Sequence, residues 1–115
     1  MSLVIYGIRN CDTIKKTMRW LDAHAIDYRF HDYRKDGLST ELLQQFITSL
    51  GWQALINTRG TTFRGLSDAV KQGLDEQSAI RLMLEQPALI KRPLIATQQG
   101  YLLGFDETKF QALLG

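Results

Sequence analysis

The chain has 115 residues, a formal net charge of +2, and 44% hydrophobic against 23% charged residues, the size and balance of one ordinary globular domain with one core over residues 1–115. No segment approaches the roughly 18–20 consecutive apolar residues of a membrane helix, nothing near the N-terminus has the layout of a secretion signal, and the basic residues do not gather into a nucleic-acid-binding arm. A soluble protein without membrane or nucleic-acid partners is expected, and the single cysteine, which forbids an internal disulfide, points to the reducing cytoplasm.

Leu3-Val4-Ile5-Tyr6 is a continuous apolar run of strand length, the pattern of a strand buried on both faces. After a Gly7-Ile8-Arg9-Asn10 turn, Cys11 opens a segment with Ile14, Met18 and Leu21 on one helical stripe and Lys15, Lys16, Arg19 and Asp22 off it. The placement of the cysteine is chemically pointed. The unpaired N–H groups and positive dipole end of a helix N-terminus favour a thiolate over a thiol, and Arg9, Lys15 and Lys16 add positive charge nearby. Read locally, Cys11 is either a nucleophile or a buried small hydrophobe, with the first favoured.

Residues 27–33 alternate, with Tyr28 and Phe30 on one face and Arg29 and His31 on the other, as in a half-buried strand. Strand, helix and strand in that order imply a parallel right-handed crossover. Ser39 is then a suitable N-cap for a helix carrying Leu42, Leu43, Phe46, Ile47 and Leu50, closed by a left-handed cap at Gly51 with Trp52 as its hydrophobic contact. A short helix is predicted from Ser67 to Gln72. Asp75 caps another, with Ala79, Ile80, Met83 and Leu84, that stops before Pro87. Leu94-Ile95-Ala96-Thr97 and Tyr101-Leu102-Leu103 flank Gln98-Gln99-Gly100 as a hairpin, and Asp106 caps a last helix with Phe110, Leu113 and Leu114 on its apolar side. The sum is an α/β fold, βαβ then helices then ββα, with a mixed four-stranded sheet and a helical insertion at about 39–87.

Several polar positions invite a chemical reading. Arg59 and Arg64 bracket Gly60-Thr61-Thr62, either an anion-binding loop or, as composition alone favours, an ordinary polar connection. Thr13 either donates its hydroxyl to a thiolate at Cys11 or merely decorates the helix start. Arg92-Pro93, taken alone, reads as an exposed arginine ahead of a strand-opening proline. His24 and His31 have no partners at metal-ligand spacing, so no metal site is expected, and Tyr6, Trp20, Tyr28 and Phe30 read as packing residues.

Four separated segments, in order, carry a family resemblance: residues 6–13 (Tyr-Gly-Ile-Arg-Asn-Cys-Asp-Thr) with Lys15-Lys16, residues 27–33, the Asn57-to-Phe63 segment, and Ile90-Lys91-Arg92-Pro93-Leu94. On these the chain resembles the arsenate reductase (ArsC) and Spx-like family, and within it the small YffB-like branch, essentially end to end. The resemblance implies a thioredoxin-like fold, Cys11 as catalytic thiol, Arg92 as its anion-binding neighbour, Pro93 as the cis-proline beside it, and Arg59 as a second binding residue. It implies glutathione as co-substrate, with no bound cofactor, and a glutaredoxin or a protein disulfide as further partner.

Departures from the family pattern choose among its activities. Spx-type redox regulators carry a second cysteine where this chain has Ile14, so an internal disulfide switch is excluded. Classical glutathione-dependent arsenate reductases carry a histidine four residues before the cysteine, here Gly7, and an arginine near the end of the hairpin, here Leu103-Gly104-Phe105. The expected activity is therefore that of a monothiol, glutathione-dependent thiol-disulfide reductase. Arsenate reduction and a non-catalytic Spx-like module that binds the transcription machinery are the alternatives.

Overall fold

A computed structural model of the protein describes residues 3–9 and 11–114; Asn10, expected in the turn before Cys11, lies outside them. Strand β1 (Leu3–Gly7), helix α1 (Asp12–Ala23) and strand β2 (Tyr28–Asp32) form the parallel crossover expected, with Leu3 opposite Tyr28 and Gly7 opposite Asp32. Then come α2 (Thr40–Leu50), α3 (Trp52–Leu55), α4 (Thr61–Arg64), α5 (Asp68–Gln72), α6 (Glu76–Glu85) and a 3-10 turn (Pro87–Leu89). Strands β3 (Leu94–Thr97) and β4 (Gly100–Leu103) and helix α7 (Glu107–Leu113) complete the chain. The sheet order is β2-β1-β3-β4, with β3 antiparallel to both its neighbours. This mixed four-stranded sheet is the thioredoxin-like arrangement.

The sheet separates two apolar clusters where one core was expected. Successive strand side chains point to opposite faces, so Leu94 joins Leu43, Phe46, Leu55, Met83, Leu89 and Ile90 under the inserted helices. Its neighbour Ile95 joins Leu3, Ile5, Ile14, Leu21 and Phe110 under α1 and α7. β1 is thus covered on both sides, although Val4 and Tyr6 are only half-buried.

Side-chain geometry adjusts several expectations. On α1 the fully buried partner of Ile14 and Leu21 is Thr17, while Met18 is half-buried. A threonine is tolerated there because its hydroxyl donates to the Thr13 carbonyl at 2.7 Å. Leu113, expected on the apolar side of α7, is 51% exposed, since the last turn extends past the contact that buries Phe110. Gly51 has positive φ (84°) but an extended ψ (146°), so it is a swing into α3 rather than a left-handed cap. The four-residue helices α3 and α4 and the 3-10 turn were not expected.

Ser39, Asp75 and Asp106 cap as predicted, and Ser67, read as the first residue of its helix, proves to be a cap as well; each accepts a backbone N–H three residues on. At α6 the cap is reciprocal: Asp75 Oδ1 accepts from Ser78 N at 2.8 Å, and Ser78 Oγ accepts from Asp75 N at 2.9 Å. The bond from the Ser78 backbone N–H, helped by the Ser78 hydroxyl, holds the Asp75 carboxyl below its ordinary 3.8. A carboxylate with a depressed folded value contributes stability above the unfolded value and loses it as pH falls through the folded one. Thermal melts should therefore lose part of their stability below about pH 4, and Asp75→Asn, which still caps but does not titrate, should flatten that part of the profile. An unchanged acid limb in Asp75→Asn would remove the cap as its source.

Candidate active site

The β1–α1 junction places Cys11 as the N-cap of α1, with extended backbone (φ −108°, ψ 128°), a half-exposed side chain and no side-chain capping bond. Lys15 N–H is the first in the helix to reach a helical acceptor, the Cys11 carbonyl at 3.0 Å. The N–H groups of the turn before it therefore have no intrahelical acceptor, as at any helix start. A sulfur at this position faces partial positive charge from the helix end. Two of the three cations expected nearby lean over aromatic rings: the Arg9 guanidinium lies 5.7 Å from the Phe30 ring centre and Lys16 Nζ 4.7 Å from that of Phe105. Phe30, Phe105 and Cys11 all pack against the α1–α7 cluster. Thr13 is half-buried one turn back from Thr17, whose hydroxyl its carbonyl accepts.

The chain enters β3 through a cis Arg92–Pro93 bond. Pro93 is buried, and its carbonyl accepts from Gly104 N at 2.8 Å, which ties the loop to the end of β4. Arg92 is half-buried rather than exposed, and its Cγ lies 3.8 Å from where a Cβ on Gly7 would stand. The same Cβ would come within 2.5 Å of Ile14 Cδ1. Glycine is thus the residue that lets α1 and the Arg92 stem close together over the end of β1. From the sequence, Gly7 reads as the start of a turn and as the place of a missing histidine; the structure makes it the last residue of β1, and its tight surroundings become visible only when α1 and the Arg92 loop are in place.

The other predicted pieces lie farther round. Ile56 and Ile90 form an isolated antiparallel bridge, with Asn57 N donating to Leu89 O at 2.7 Å and Lys91 N to Leu55 O at 2.8 Å. An antiparallel bridge sends the two chains in opposite directions. Arg59 follows toward the 3-10 turn, against which α4 packs, while Arg92 follows toward Gly7. Arg59 is exposed, its backbone N–H held by Asn57 Oδ1 at 3.2 Å. Residues 60–62, read as an open loop, instead start α4: Arg64 N donates to Gly60 O at 3.1 Å. Ile14 of the helix that begins after Cys11 and the stem of Arg92 thus both border Gly7, while Arg59 lies exposed on the other arm of the bridge.

Below Arg92 lies a residue that sequence reading left as part of a strand. Tyr33, just past β2, donates its backbone N–H to the Gly7 carbonyl at 2.9 Å. Its side chain is 3% exposed, and its hydroxyl has no hydrogen-bond partner among the described residues. Burial pushes its pKa far above the ordinary 10.0, Tyr6 adds to the rise, and the Arg92 guanidinium opposes it. No group of three metal-ligating side chains forms among the described residues, and none of their helices is long and apolar enough to cross a membrane.

The ArsC family model matches residues 6–113, and the chain belongs to that family. It is 46% identical to the solved YFFB protein, with a TM-score of 0.92 over 99% of this chain and 100% of the other, which supports the YffB-like branch. A solved arsenate reductase (ArsC) related protein from Brucella melitensis is also 46% identical, with a TM-score of 0.83 over 98% of this chain and 94% of the other. The global transcriptional regulator Spx of Streptococcus pyogenes is 30% identical over 107 residues, covering 91% of this chain and 79% of its own length.

Proposed function

We propose that this chain is a glutathione-dependent thiol-disulfide reductase with Cys11 as its single nucleophile. The observation that carries the reading is the Cys11 thiol, half-exposed at an uncapped helix N-terminus, with the Arg92 stem packed across Gly7 from the same helix. A thiolate attacks one sulfur of a glutathione mixed disulfide, forming Cys11–S–S–glutathione and releasing the other thiol, which takes up a proton. A second glutathione thiolate then attacks that new disulfide, leaving oxidised glutathione and the Cys11 thiolate. The net exchange consumes one free glutathione: mixed disulfide plus glutathione gives the freed thiol plus oxidised glutathione, whose other half comes from the mixed disulfide itself. External resolution follows from the presence of one cysteine in the chain.

Arg92 supplies a planar fork of N–H donors suited to a glutathione carboxylate. Arg59 and Thr13 are secondary members: Arg59 as a second carboxylate contact, Thr13 as a hydroxyl one helical position past the start of α1. Arg92→Ala should raise KM for glutathione on the order of tenfold, the scale of a charged hydrogen bond, while alkylation of Cys11 by neutral iodoacetamide changes much less. Unaltered glutathione kinetics in that variant would take Arg92 out of the site. The whole reading is tested by assaying release of glutathione from a glutathionylated peptide. Absence of turnover in the native protein would overturn it.

Arsenate reduction is the second reading, favoured by the similarity to the Brucella protein. It is opposed by Gly7, where no side chain fits without moving Ile14, and by the lack of an arginine at Leu103-Gly104-Phe105. The similarity to Spx supports a protein partner as well. A partner complex that survives Cys11→Ser unchanged would favour a regulatory module over an enzyme.

A further inference from the structure

We propose that Tyr33 is the positioning residue for Arg92: its buried hydroxyl receives a guanidinium N–H when an anion docks, and so fixes the fork that holds the anion. The inference rests on the reading of Arg92 as anion-binding residue.

Buried hydroxyls almost always have a partner, and one left without is costly. The Tyr33 hydroxyl is such an exception among the described residues, although its ring is well packed. The ring stacks on Tyr6 with centres 6.2 Å apart and meets His31 edge-on at 6.2 Å, and it belongs to the cluster of Phe46, Leu43 and Leu94. A phenylalanine would serve all these contacts without an orphaned oxygen. What distinguishes tyrosine here is its address. Its backbone is bonded to Gly7, the residue over which the Arg92 stem lies, and Arg92 is the cation whose charge acts on the hydroxyl.

The phenol oxygen has two lone pairs and a fixed site in the core, whereas arginine has five donors on a flexible stem. Seating one donor on Tyr33 would leave the rest of the fork facing the Cys11 side in one orientation. That is how a buried polar group contributes to a site without touching the ligand. The other charged neighbour acting on this aromatic group is Arg29, which opposes the rise at Tyr6 rather than at Tyr33.

The test compares alkylation of Cys11 by iodoacetate, an anion, with alkylation by neutral iodoacetamide, so that the ratio of rates reports the anion contact and cancels changes in the thiol itself. Tyr33→Phe should lower the ratio roughly three- to tenfold, the scale of one hydrogen bond, with melting temperature unchanged or raised. In an Arg92→Gln background the same substitution should have no effect, because the two act as one unit. An equal drop in both backgrounds, or no drop in either, would overturn the proposal. So would a clear loss of melting temperature in Tyr33→Phe with the ratio intact, which marks a structural hydroxyl. Because no turnover is measured, the result is independent of whether glutathione is the substrate. A glutathionylated-peptide assay on the native protein fails or succeeds separately.

Discussion

Cys11→Ser abolishes release of glutathione from a glutathionylated peptide, to the level of the uncatalysed exchange, while the melting temperature stays the same or rises. The two halves of this expectation have different origins. Serine cannot form a disulfide, and no second cysteine exists to substitute for the first, so the loss is complete rather than partial. Stability moves the other way because Cys11 occupies an N-cap where it makes no capping bond, and serine is among the best residues for accepting a first-turn N–H. A well-formed cap adds up to about 1 kcal/mol, worth roughly 4 °C in a domain of this size. A cysteine held at the position where serine caps better is the pattern of a residue kept for chemistry at some expense of stability. Retained turnover in Cys11→Ser would dismiss the mechanism, and a strongly destabilised variant would mean that the thiol is a packing residue instead.

The second large effect is expected at Gly7. A Cβ there stands 2.5 Å from Ile14 Cδ1 and 3.1 Å from its Cγ1, and because Ile14 is only 1% exposed its end must turn within a filled core to make way. Overpacking of this kind costs about 1–3 kcal/mol, so Gly7→Ala should lower the melting temperature by roughly 4–12 °C. Gly7→His should lower it further and push the Arg92 stem away, weakening glutathione binding without conferring arsenate reduction. Since the colliding atom is one that valine lacks, adding Ile14→Val should restore much of what Gly7→Ala loses. A Gly7→Ala protein that melts like the native one, or a double variant less stable than Gly7→Ala, would show that the end of β1 has slack the geometry does not contain.

Why β1, α1, β2, the hairpin and the four capped helices were legible is a matter of local physics. Their residues state a period and a boundary within a few positions: Ser39, Ser67, Asp75 and Asp106 each sit where a first-turn N–H needs an acceptor. Helices α3 and α4, at four residues each, are too short to be stable alone and form only because the surrounding packing supplies what nucleation lacks. Thr17 was passed over as polar because its burial depends on a hydroxyl bond back to Thr13 that spacing does not reveal. At the site, Cys11 was legible because a lone thiol stands where a strand becomes a helix. Arg92 and cis Pro93 were legible only through resemblance to a family, since nothing local distinguishes a rare cis bond from a common trans one. Tyr33 was not legible at all as a candidate, because what sets it apart is an unmet hydrogen bond, and that exists only once everything around it is folded.

The Ile56–Ile90 bridge gives the inserted helices a mechanical meaning. Its two backbone bonds, Asn57 to Leu89 and Lys91 to Leu55, end one residue before Arg92, so the splint that fixes the arginine's approach is anchored in α3 rather than in the sheet. Shortening or re-threading the segment between β2 and β3 would therefore change the reach of Arg92 even if every residue of the sheet and of α1 were kept. Transplanting Cys11, Arg92 and Pro93 onto a bare βαβ–ββα frame would carry over the reactive groups without the brace that aims them.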